Sequence, residues 1–373
     1  MLNEEFITVV ANGQTYTGWE RVKVTAGIQQ ASRSFSLETT EQIGEWKFPP
    51  GTPIAIFANG DLMIRGYVNA YQASGQHDAH RITIQGRAKG QDYIDSSAEH
   101  PSHEFDNQSP LSAARALDVY GIGISSDIPL DPVPRMHVTP GESPFAFMER
   151  YLRPIGASMM GEPDGSIRIT DASAARSHYG ILMEGQNIKT FMVDLNDGSR
   201  HSKYIARGQS RSGTGATRLR TSGSATDRGV RRRRTRVLAN ETDSDQGRVR
   251  NRARHERDRA AGKSVKAAVQ TQGFRDFAGK LFTPNHLIYV HSPILMHLCQ
   301  TMLIEQVQFT QDNKSGSLCD LQLVDPRAYR GQRPARGTAG QGGGAADSND
   351  QGDLNHDGAP DGADTDVAWT EGY

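Results

Sequence analysis

Short runs in which apolar and polar residues alternate occur at both ends of this sequence, and this pattern most limits the folds open to the chain. Alternation with a period of two predicts β-strands that bury one face. The predicted amino-terminal strands are Phe6–Ala11, Gln14–Tyr16, Val22–Thr25, Ser34–Leu37, Ile54–Phe57, Leu62–Tyr71 and His80–Arg87. Asn12-Gly13 predicts a type I′ hairpin turn, because both central residues of that turn need positive φ. We therefore expect an antiparallel barrel or sandwich over residues 1–90.

A second β-rich stretch follows a basic helical segment between Asp243 and Leu323. The segment begins DSDQGRVRNRARHERDRAAGKS, and the predicted strands after it are VKAAVQTQGF, HLIYVHSPIL, TMLIEQVQF and GSLCDLQLV. Further strands are predicted at Ile188–Val193 and Lys203–Gly208. We assign residues 181–330 to a second β domain that carries a basic loop and helix over 209–262.

The residues between the two β stretches change to a helical period. Ser109-Pro110 and Ser143-Pro144 each combine a preferred N-cap with proline in the first turn, and Gly121 and Gly156 are predicted helix ends. Pro154 predicts a shortened or kinked last turn in the second helix. Ala157–Gly161 and Ser166–Thr170 then predict a hairpin. Two helices and a small sheet indicate an α+β domain over residues 91–180.

Charge is distributed very unevenly although the formal net charge is only −1. Residues 200–262 hold 18 Lys/Arg against 6 Asp/Glu, whereas residues 337–373 hold no Lys/Arg against 8 Asp/Glu. Gln209–Gly229 lacks an apolar period and is predicted to be a long exposed loop. Residues 331–373 are rich in Gly, Ala and Asp, which predicts a flexible acidic tail or a partner-docking arm. Such blocks indicate contacts with unlike surfaces.

Several classes of protein are disfavoured by what the sequence lacks. No apolar run approaches the roughly 20 residues needed to span a bilayer, and the first residues do not resemble a signal peptide. Two cysteines, Cys299 and Cys319, do not form a disulfide framework, which favours folding in a reducing cytoplasm. GxSxG, P-loop and Rossmann patterns are absent, and no pair of carboxylates has the spacing of a general acid and base. We predict no catalytic residue, no cofactor and no metal site.

Two kinds of pattern in the sequence weakly resemble metal sites. His77 with His80, and His100 with His103, have spacings that reach a metal but no cysteine partner or HExxH glutamate, so loop histidines are the favoured interpretation. His286, His291 and His297 lie in or beside predicted strands, where packing or interface roles dominate. The segment from Asp353 to Asp364 imitates part of a calcium loop, but it ends in Asp and contains Pro360. An acidic solubilising tail is the favoured interpretation there.

Several segments, in this order, resemble the baseplate hub protein of Mu-like contractile-tailed bacteriophages. They are GWERVKVTAGIQQASRSFSLETT (Gly18–Thr40), GRAKGQDYIDSSAE (Gly86–Glu99), FAFMERYLRPIGASMMGEPDGSIRIT (Phe145–Thr170), NRARHERDRAAGKSV (Asn251–Val265) and FTPNHLIYVHSPIL (Phe282–Leu295). The resemblance rests on their common order and spacing, and it extends to about Asp325.

The resemblance implies a homotrimer in which each chain supplies two similar, antiparallel, β-barrel-like tube domains with a small α+β domain between them. It implies a scaffold shared with the base of type VI secretion spikes. Three chains then present six equivalent sites to a hexameric tail tube, while the trimeric side receives the central spike and other baseplate proteins. The implied place is the tail baseplate of the virion, and neither membrane insertion nor direct nucleic-acid binding is expected. Gly18–Thr40 and Phe282–Leu323 are our candidate subunit contacts.

A second interpretation assigns the Arg-rich region Lys203–Arg259 to DNA binding, in keeping with a DNA-circularisation label that the family has carried. Arginines can neutralise phosphates. However, Arg250, Arg252 and Arg254 would spread around a helix, and stacking aromatic residues are absent from Gln209–Lys263. A solvated helix or a charged subunit interface is therefore the favoured interpretation, and DNA binding stays the alternative.

Overall fold

The structure is a computed structural model, and it describes residues 5–40, 48–76, 79–209, 220–243, 246–292 and 298–330 of the 373-residue chain. Residues 331–373, which carry the acidic tail and the calcium-loop-like pattern, lie outside the described residues. So do His77 and His297.

The amino-terminal part is a run of seven antiparallel strands. They are β1 (Ile7–Ala11), β2 (Gln14–Tyr16), β3 (Arg21–Gly27), β4 (Ser34–Thr39), β5 (Pro53–Ala58), β6 (Asp61–Gln76) and β7 (Ala79–Ala88). The β1–β2 turn has φ of 51° at Asn12 and 74° at Gly13, and the β5–β6 turn has φ of 46° at Asn59 and 88° at Gly60. The hairpin predicted from Asn12-Gly13 is confirmed, and Asn59-Gly60 forms a second turn of the same kind.

The middle part has its own small sheets, helices and hydrophobic core. Its elements are α1 (Gln91–Asp95), β8 (Glu104–Gln108), α2 (Pro110–Ala116), β9 (Ile124–Ser126), β10 (Val133–His137), α3 (Pro144–Leu152), β11 (Ser158–Gly161) and β12 (Ile167–Thr170). Ser109 and Ser143 accept N-cap hydrogen bonds from the backbone N–H of Ser112 and Ala146. After α3 the chain tightens into a 3₁₀ turn at Arg153–Ile155 and ends at Gly156, with φ of 74°. Proline at position 154 thus shortens the helix as predicted.

The carboxy-terminal part returns to strands. They are β13 (Arg176–Met183), β14 (Ile188–Leu195), β15 (Lys203–Gln209), β16 (Arg220–Thr226), β17 (Thr235–Asp243), β18 (Val265–Gln272), β19 (His286–Ser292), β20 (Leu298–Asp312) and β21 (Gly316–Val324). Helix α4 (Gln246–Lys263) precedes β18, and a 3₁₀ turn at Pro326–Tyr329 follows β21. The strands β15, β16 and β17 form a separate three-stranded sheet on which α4 packs.

The remaining strands of the two β parts share one sheet with the order β14-β18-β21-β20-β3-β4-β7-β6-β5-β1-β2, and β19 and β13 branch from β20. Its halves repeat one plan. The path β3-β4-β7-β6-β5-β1 corresponds to β14-β18-β21-β20-β19-β13, and both paths visit their six strands in the same chain order. All equivalent neighbours are antiparallel except β13 and β19, which are parallel where β1 and β5 are antiparallel. We call these halves the first module and the second module.

Three expectations differ from the structure. No sheet among the described strands closes on itself, so the mainly β, antiparallel architecture is confirmed whereas closed barrels are not shown. Residues 220–226 form the strand β16 and not part of an exposed loop, because Thr221 and Ala225 are buried and Ala225 packs in one cluster with α4. Helix α2 ends at Ala116, several residues before the predicted Gly121, because Asp118 accepts hydrogen bonds from the backbone N–H groups of Ile122 and Gly123.

Candidate assembly interfaces

The two modules meet at one antiparallel joint between β20 and β3. The pairing runs from Gln306 opposite Gly27 to Asp312 opposite Arg21. Val24, Val307 and Phe309 are buried there, in a hydrophobic core that both modules share. The segments Gly18–Thr40 and Phe282–Leu323, which we expected to make subunit contacts, therefore pair with each other inside one chain over these residues. That the faces of these segments also contact neighbouring subunits stays a prediction.

Each module contains one long strand that exchanges partners halfway along its length. In β20, Leu298–Leu303 pairs with β19, and residues 303–312 pair with β21. In β6, residues 61–67 pair with β5, and residues 66–76 pair with β7. The ladder shifts at Ile304/Gln306 in β20 and at Val68/Ala70 in β6. A bulge bends a strand and increases its twist, so both modules turn at the same place.

The exchange leaves one edge of each long strand open for another partner. In β20 the edge that β19 leaves is taken by β3. In β6 the corresponding edge, residues 70–76, has no strand partner among the described residues. The strand β14 occupies in the second module the position of β3, and within the described part of the chain it pairs with β18 alone. Met192 is 65% exposed and Leu195 49% exposed on it. Unpaired strand edges of this kind are ready to accept another strand.

A buried ion-pair cluster supports the joint from the side. Arg275 donates from Nε to Glu5 at 2.9 Å, from Nη1 to Asp61 at 2.5 Å and from Nη2 to the carbonyl of Ala58 at 2.8 Å. The second Glu5 oxygen accepts from the side-chain amide of Asn59 at 2.9 Å. Glu5 is almost wholly buried, so this carboxylate depends on the arginine of the other module for its compensation.

A second buried arginine attaches the middle part to the first module. Arg33 lies between β3 and β4 and donates to the carbonyls of Gly161, at 2.9 Å, and of Met63, at 3.0 Å. Burial lowers the pKa of Arg33 to about 10, although the Glu162 carboxylate opposes that shift. Sequence reasoning missed Arg33 and Arg275, because a single arginine beside a strand carries no local signal of its distant partners.

The Arg-rich region divides between a structured unit and exposed positions. Helix α4 places Val249, Ala253 and Ala260 against the sheet of β15–β17, while Arg250 points to solvent. Several arginines of the region have carboxylate partners, and the pairs are Arg200 with Asp197 and Asp227, Arg236 with Glu256, and Arg257 with Asp258. Arg231, Arg232 and Arg233 are exposed in the connection between β16 and β17.

The described histidines take packing and hydrogen-bonding positions. His100 stacks on Phe105 with ring centroids 4.2 Å apart, and His291 lies 3.4 Å from the sulfur of Cys299. His286 contacts the ring of His178 at a centroid distance of 4.8 Å. No group of three or more His, Cys, Asp or Glu side chains suited to a metal ion occurs within the described ranges. Among the helices in those ranges, none is long and apolar enough to cross a membrane.

Comparison with known families gives three matches along the chain. Residues 6–88 match the amino-terminal domain of "Mu phage baseplate assembly protein GpP-like". Residues 90–171 match "Baseplate hub protein gp44-like, second domain", and residues 246–332 match "Mu phage baseplate assembly protein GpP, fourth domain".

Individual proteins show the same relationship over most of the chain. The baseplate hub protein gp44 of Escherichia phage Mu is 23% identical over 325 residues, which cover 83% of this chain and 85% of the Mu protein. The crystal structure of the 43 kDa tail protein of prophage MuSo2 from Shewanella oneidensis is 27% identical with a TM-score of 0.78, over 87% of this chain and 99% of that one. The E. coli type VI secretion component c3393, with 12% identity and a TM-score of 0.53, shares the fold over 88% of this chain and 79% of its own.

Proposed function

Because the chain belongs to the family of Mu-like phage baseplate hub proteins, we propose that three copies of it close into a ring that joins the tail tube to the central spike. The observation that carries this proposal is the repeated plan of the two modules. One chain supplies two similar modules, so three chains supply six, which matches a hexameric tube on one side and a trimeric spike on the other.

The joint between β20 and β3 indicates how neighbouring copies would pair. If every joint in the ring is alike, the open edge of β6 in one copy receives β14 of the next copy, because these strands are the equivalents of β20 and β3. Aligning the two bulges makes Ala70 equivalent to Gln306, and aligning the ladders makes Val193 equivalent to Val24. The resulting antiparallel register sets Ser74 of one copy opposite Met192 of the next.

This pairing accounts for the exposed apolar side chains on β14. An edge strand that met only water would be expected to carry charges or proline to prevent aggregation. The strand β14 exposes the charges of Lys189 and Asp194, but it also exposes the apolar side chains of Met192 and Leu195. The second module further exposes Tyr179 on β13 and Phe277 after β18. Main-chain hydrogen bonds would supply affinity at the joint, and these side chains would supply specificity.

The domain assignment, 1–90, 91–180, 181–330 and an acidic tail over 331–373, is part of the proposal. So are the partners, which are the tail tube protein, the central spike and other baseplate proteins, and assembly in the host cytoplasm before incorporation into the virion. The hub works by complementary surfaces and requires no catalytic chemistry.

The register is tested by a disulfide between copies. In a Cys299→Ser background, Ser74→Cys combined with Met192→Cys should give a covalent trimer on non-reducing gels after mild oxidation. Cys319 stays out of the reaction, because burial raises the pKa of its thiol. The matched control, Ser74→Cys with Val193→Cys, turns one thiol to the opposite face and should stay uncrosslinked.

The ring itself is tested on the unmodified chain by light scattering and by low-resolution imaging. We expect a three-fold ring with a central hole. A stable monomer at micromolar concentration contradicts the ring, and equal cross-linking of the two cysteine pairs contradicts the register.

A further inference from the structure

A charged cleft of about 760 Å³ lies between α3, with its following 3₁₀ turn, and the helix α4. The turn Pro326–Tyr329 and Arg330 close one end of it. The stem of Arg330 packs so tightly over Gly156 that a Cβ there would lie 2.7 Å from Cδ of the arginine. The cleft therefore has walls from two distant segments of the chain that are held together at one end.

The cleft is lined by more arginines than its carboxylates can neutralise. Its carboxylates are all engaged in ion pairs, which are Glu142 with Arg150, Glu149 with Arg153, Glu256 with Arg236 and Asp258 with Arg257. Two further arginines of the lining form ion pairs with buried carboxylates outside the cleft, Arg327 with Asp325 and Arg330 with Asp171. Arg252 and Arg259 then remain, and neither has a hydrogen bond or ion pair with any described residue. The surplus is two positive charges.

The two surplus arginines share one face of α4. Arg252, His255, Glu256 and Arg259 follow the i, i+3, i+4, i+7 spacing that aligns side chains along a helix. The adjacent face, with Val249, Ala253 and Ala260, packs on the sheet of β15–β17 and fixes the rotation of the helix. The Nε–H of Arg252 is buried and donates to no atom. A buried unpaired donor on a cation is costly, so a ligand that accepts from it would be favoured.

The surroundings of His255, on the same face of α4, disfavour the protonated form of its imidazole. Burial lowers the pKa of His255, and the charges of Arg330 and Arg252 lower it further, against the raising effect of Asp258 and Asp171. An anion in the cleft would offset both the repulsion between protonated His255 and the two arginines and the surplus positive charge of the walls.

We propose that this cleft binds a small phosphate-bearing polyanion, with Arg252 and Arg259 as its principal ligands. The two arginines are separated by two helical turns, or about 10 Å along the axis, so a ligand with at least two anionic groups fits them better than a single phosphate. Guanidinium groups present paired donors that match phosphate oxygens. The volume lies in the range of small-ligand sites, which is about 300–1,000 Å³. A bound polyanion would tie the middle part of the chain to α4.

Calorimetric titration of the full chain with pyrophosphate, at fixed ionic strength, tests the proposal. We expect one site per chain, tighter binding to pyrophosphate than to orthophosphate, and weaker binding to citrate, which tests the carboxylate alternative. Arg252→Gln and Arg259→Gln should each weaken pyrophosphate binding at least tenfold. The control Arg135→Gln, an exposed arginine of β10 paired with Glu104 outside the cleft, should bind as the unmodified chain does.

Proton uptake gives a readout that unspecific charge attraction would not produce. His255 should titrate at higher pH in the presence of pyrophosphate, as followed by its imidazole resonances. Circular dichroism and the melting temperature establish that each variant is folded. If Arg252→Gln is not folded, Arg252→Lys replaces it, because it keeps the charge but loses the paired donors of the guanidinium. Absence of binding at millimolar pyrophosphate, equal binding to citrate, or unchanged affinity in the folded Arg variants would each overturn the proposal.

Discussion

The Nε–H of Arg275 donates to Oε1 of Glu5 across 2.9 Å, although 270 residues separate the two along the chain. The contact joins Glu5, two residues before β1, to the connection after β18, so it fixes the first module against the second. It lies beside the joint of β20 and β3, where Gln311 also donates to the carbonyl of Glu5 at 2.6 Å.

Glu5→Gln tests how much this ion pair holds the modules together. We expect the free energy of unfolding to fall by about 1.5–3 kcal/mol, the range for a hydrogen bond to a charged group, because Arg275 loses its buried partner but keeps Asp61. Urea denaturation measures the change. Asp61→Asn is the matched control, since Asp61 contacts the same guanidinium but is 59% exposed, and its loss should stay below about 1 kcal/mol. Equal losses in the two variants would contradict a special role for burial.

His286 should make the protein less stable in weak acid. Burial lowers its pKa to about 4, and the positive charges of His178, Arg168 and Arg176 add to that effect. The unfolded chain, with a histidine pKa of about 6.5, therefore takes up a proton first as the pH falls. The stability that depends on His286 is fully present above pH 6.5. It declines as the pH falls from 6.5 to 4, and it levels off below pH 4.

The contribution of His286 can be isolated by comparing urea midpoints of the unmodified chain and His286→Gln at pH 7.5 and pH 4. The unmodified chain should lose on the order of 2–3 kcal/mol more than the variant across this interval. Equal losses in the two proteins would show that the pKa of His286 is the same in the folded and the unfolded state, which would contradict the prediction.

The sequence was most informative where the structural cause is local. Alternation and the Asn-Gly turns predicted the strands of the first module, and the Ser-Pro pairs predicted the starts of α2 and α3, because turns and caps are decided by a few adjacent residues. The strand β16 was missed because Arg220–Thr226 is composed of Arg, Ser, Thr, Gly and Ala, and its burial depends on α4.

Relations between distant segments had no signal in single residues. The shared sheet depends on β20 pairing with β3, and no pattern in either strand specifies the other. The cleft at α4 was hidden for a similar reason. Its surplus charge is visible only after each carboxylate has been assigned to an arginine, and several of those partners come from other elements. Arg252 and Arg259 lie seven residues apart in the sequence, yet on α4 they share one face.

Gly262→Ala should disturb the docking of α4 on the turn at Pro326–Tyr329. A Cβ at Gly262 would lie 2.1 Å from the backbone nitrogen of Ala328, so the helix or the turn must move. Overpacking of this kind costs about 1–3 kcal/mol, which a lowered melting temperature would report. Gly27→Ala is the matched control, because its Cβ would meet only the flexible side chain of Gln30 at 3.3 Å. A control as destabilised as the variant would contradict the assigned clash.

Duplex DNA should bind this protein weakly, despite the basic region. Many of the arginines there are already neutralised, as Arg200 is by Asp197 and Asp227. The exposed group Arg231, Arg232 and Arg233 is the strongest remaining candidate for phosphate contacts. A protein that used all three would lose affinity steeply with salt, with a logarithmic slope near −2.7 from these residues alone.

A filter-binding salt titration distinguishes a hub with weak DNA affinity from a protein whose function is DNA binding. For a hub that assembles through its sheet edges, we expect little retention of duplex at 150 mM salt, and the triple change of Arg231, Arg232 and Arg233 to Gln should leave the weak binding and the ring unchanged. The DNA-binding alternative requires tight retention at that salt and a logarithmic salt slope that becomes shallower by about 2.7 in the triple variant. The ring serves as the internal control, because the connection between β16 and β17 lies outside the sheet that joins the modules. Loss of DNA retention with an intact ring would therefore identify nucleic-acid binding as a function in its own right.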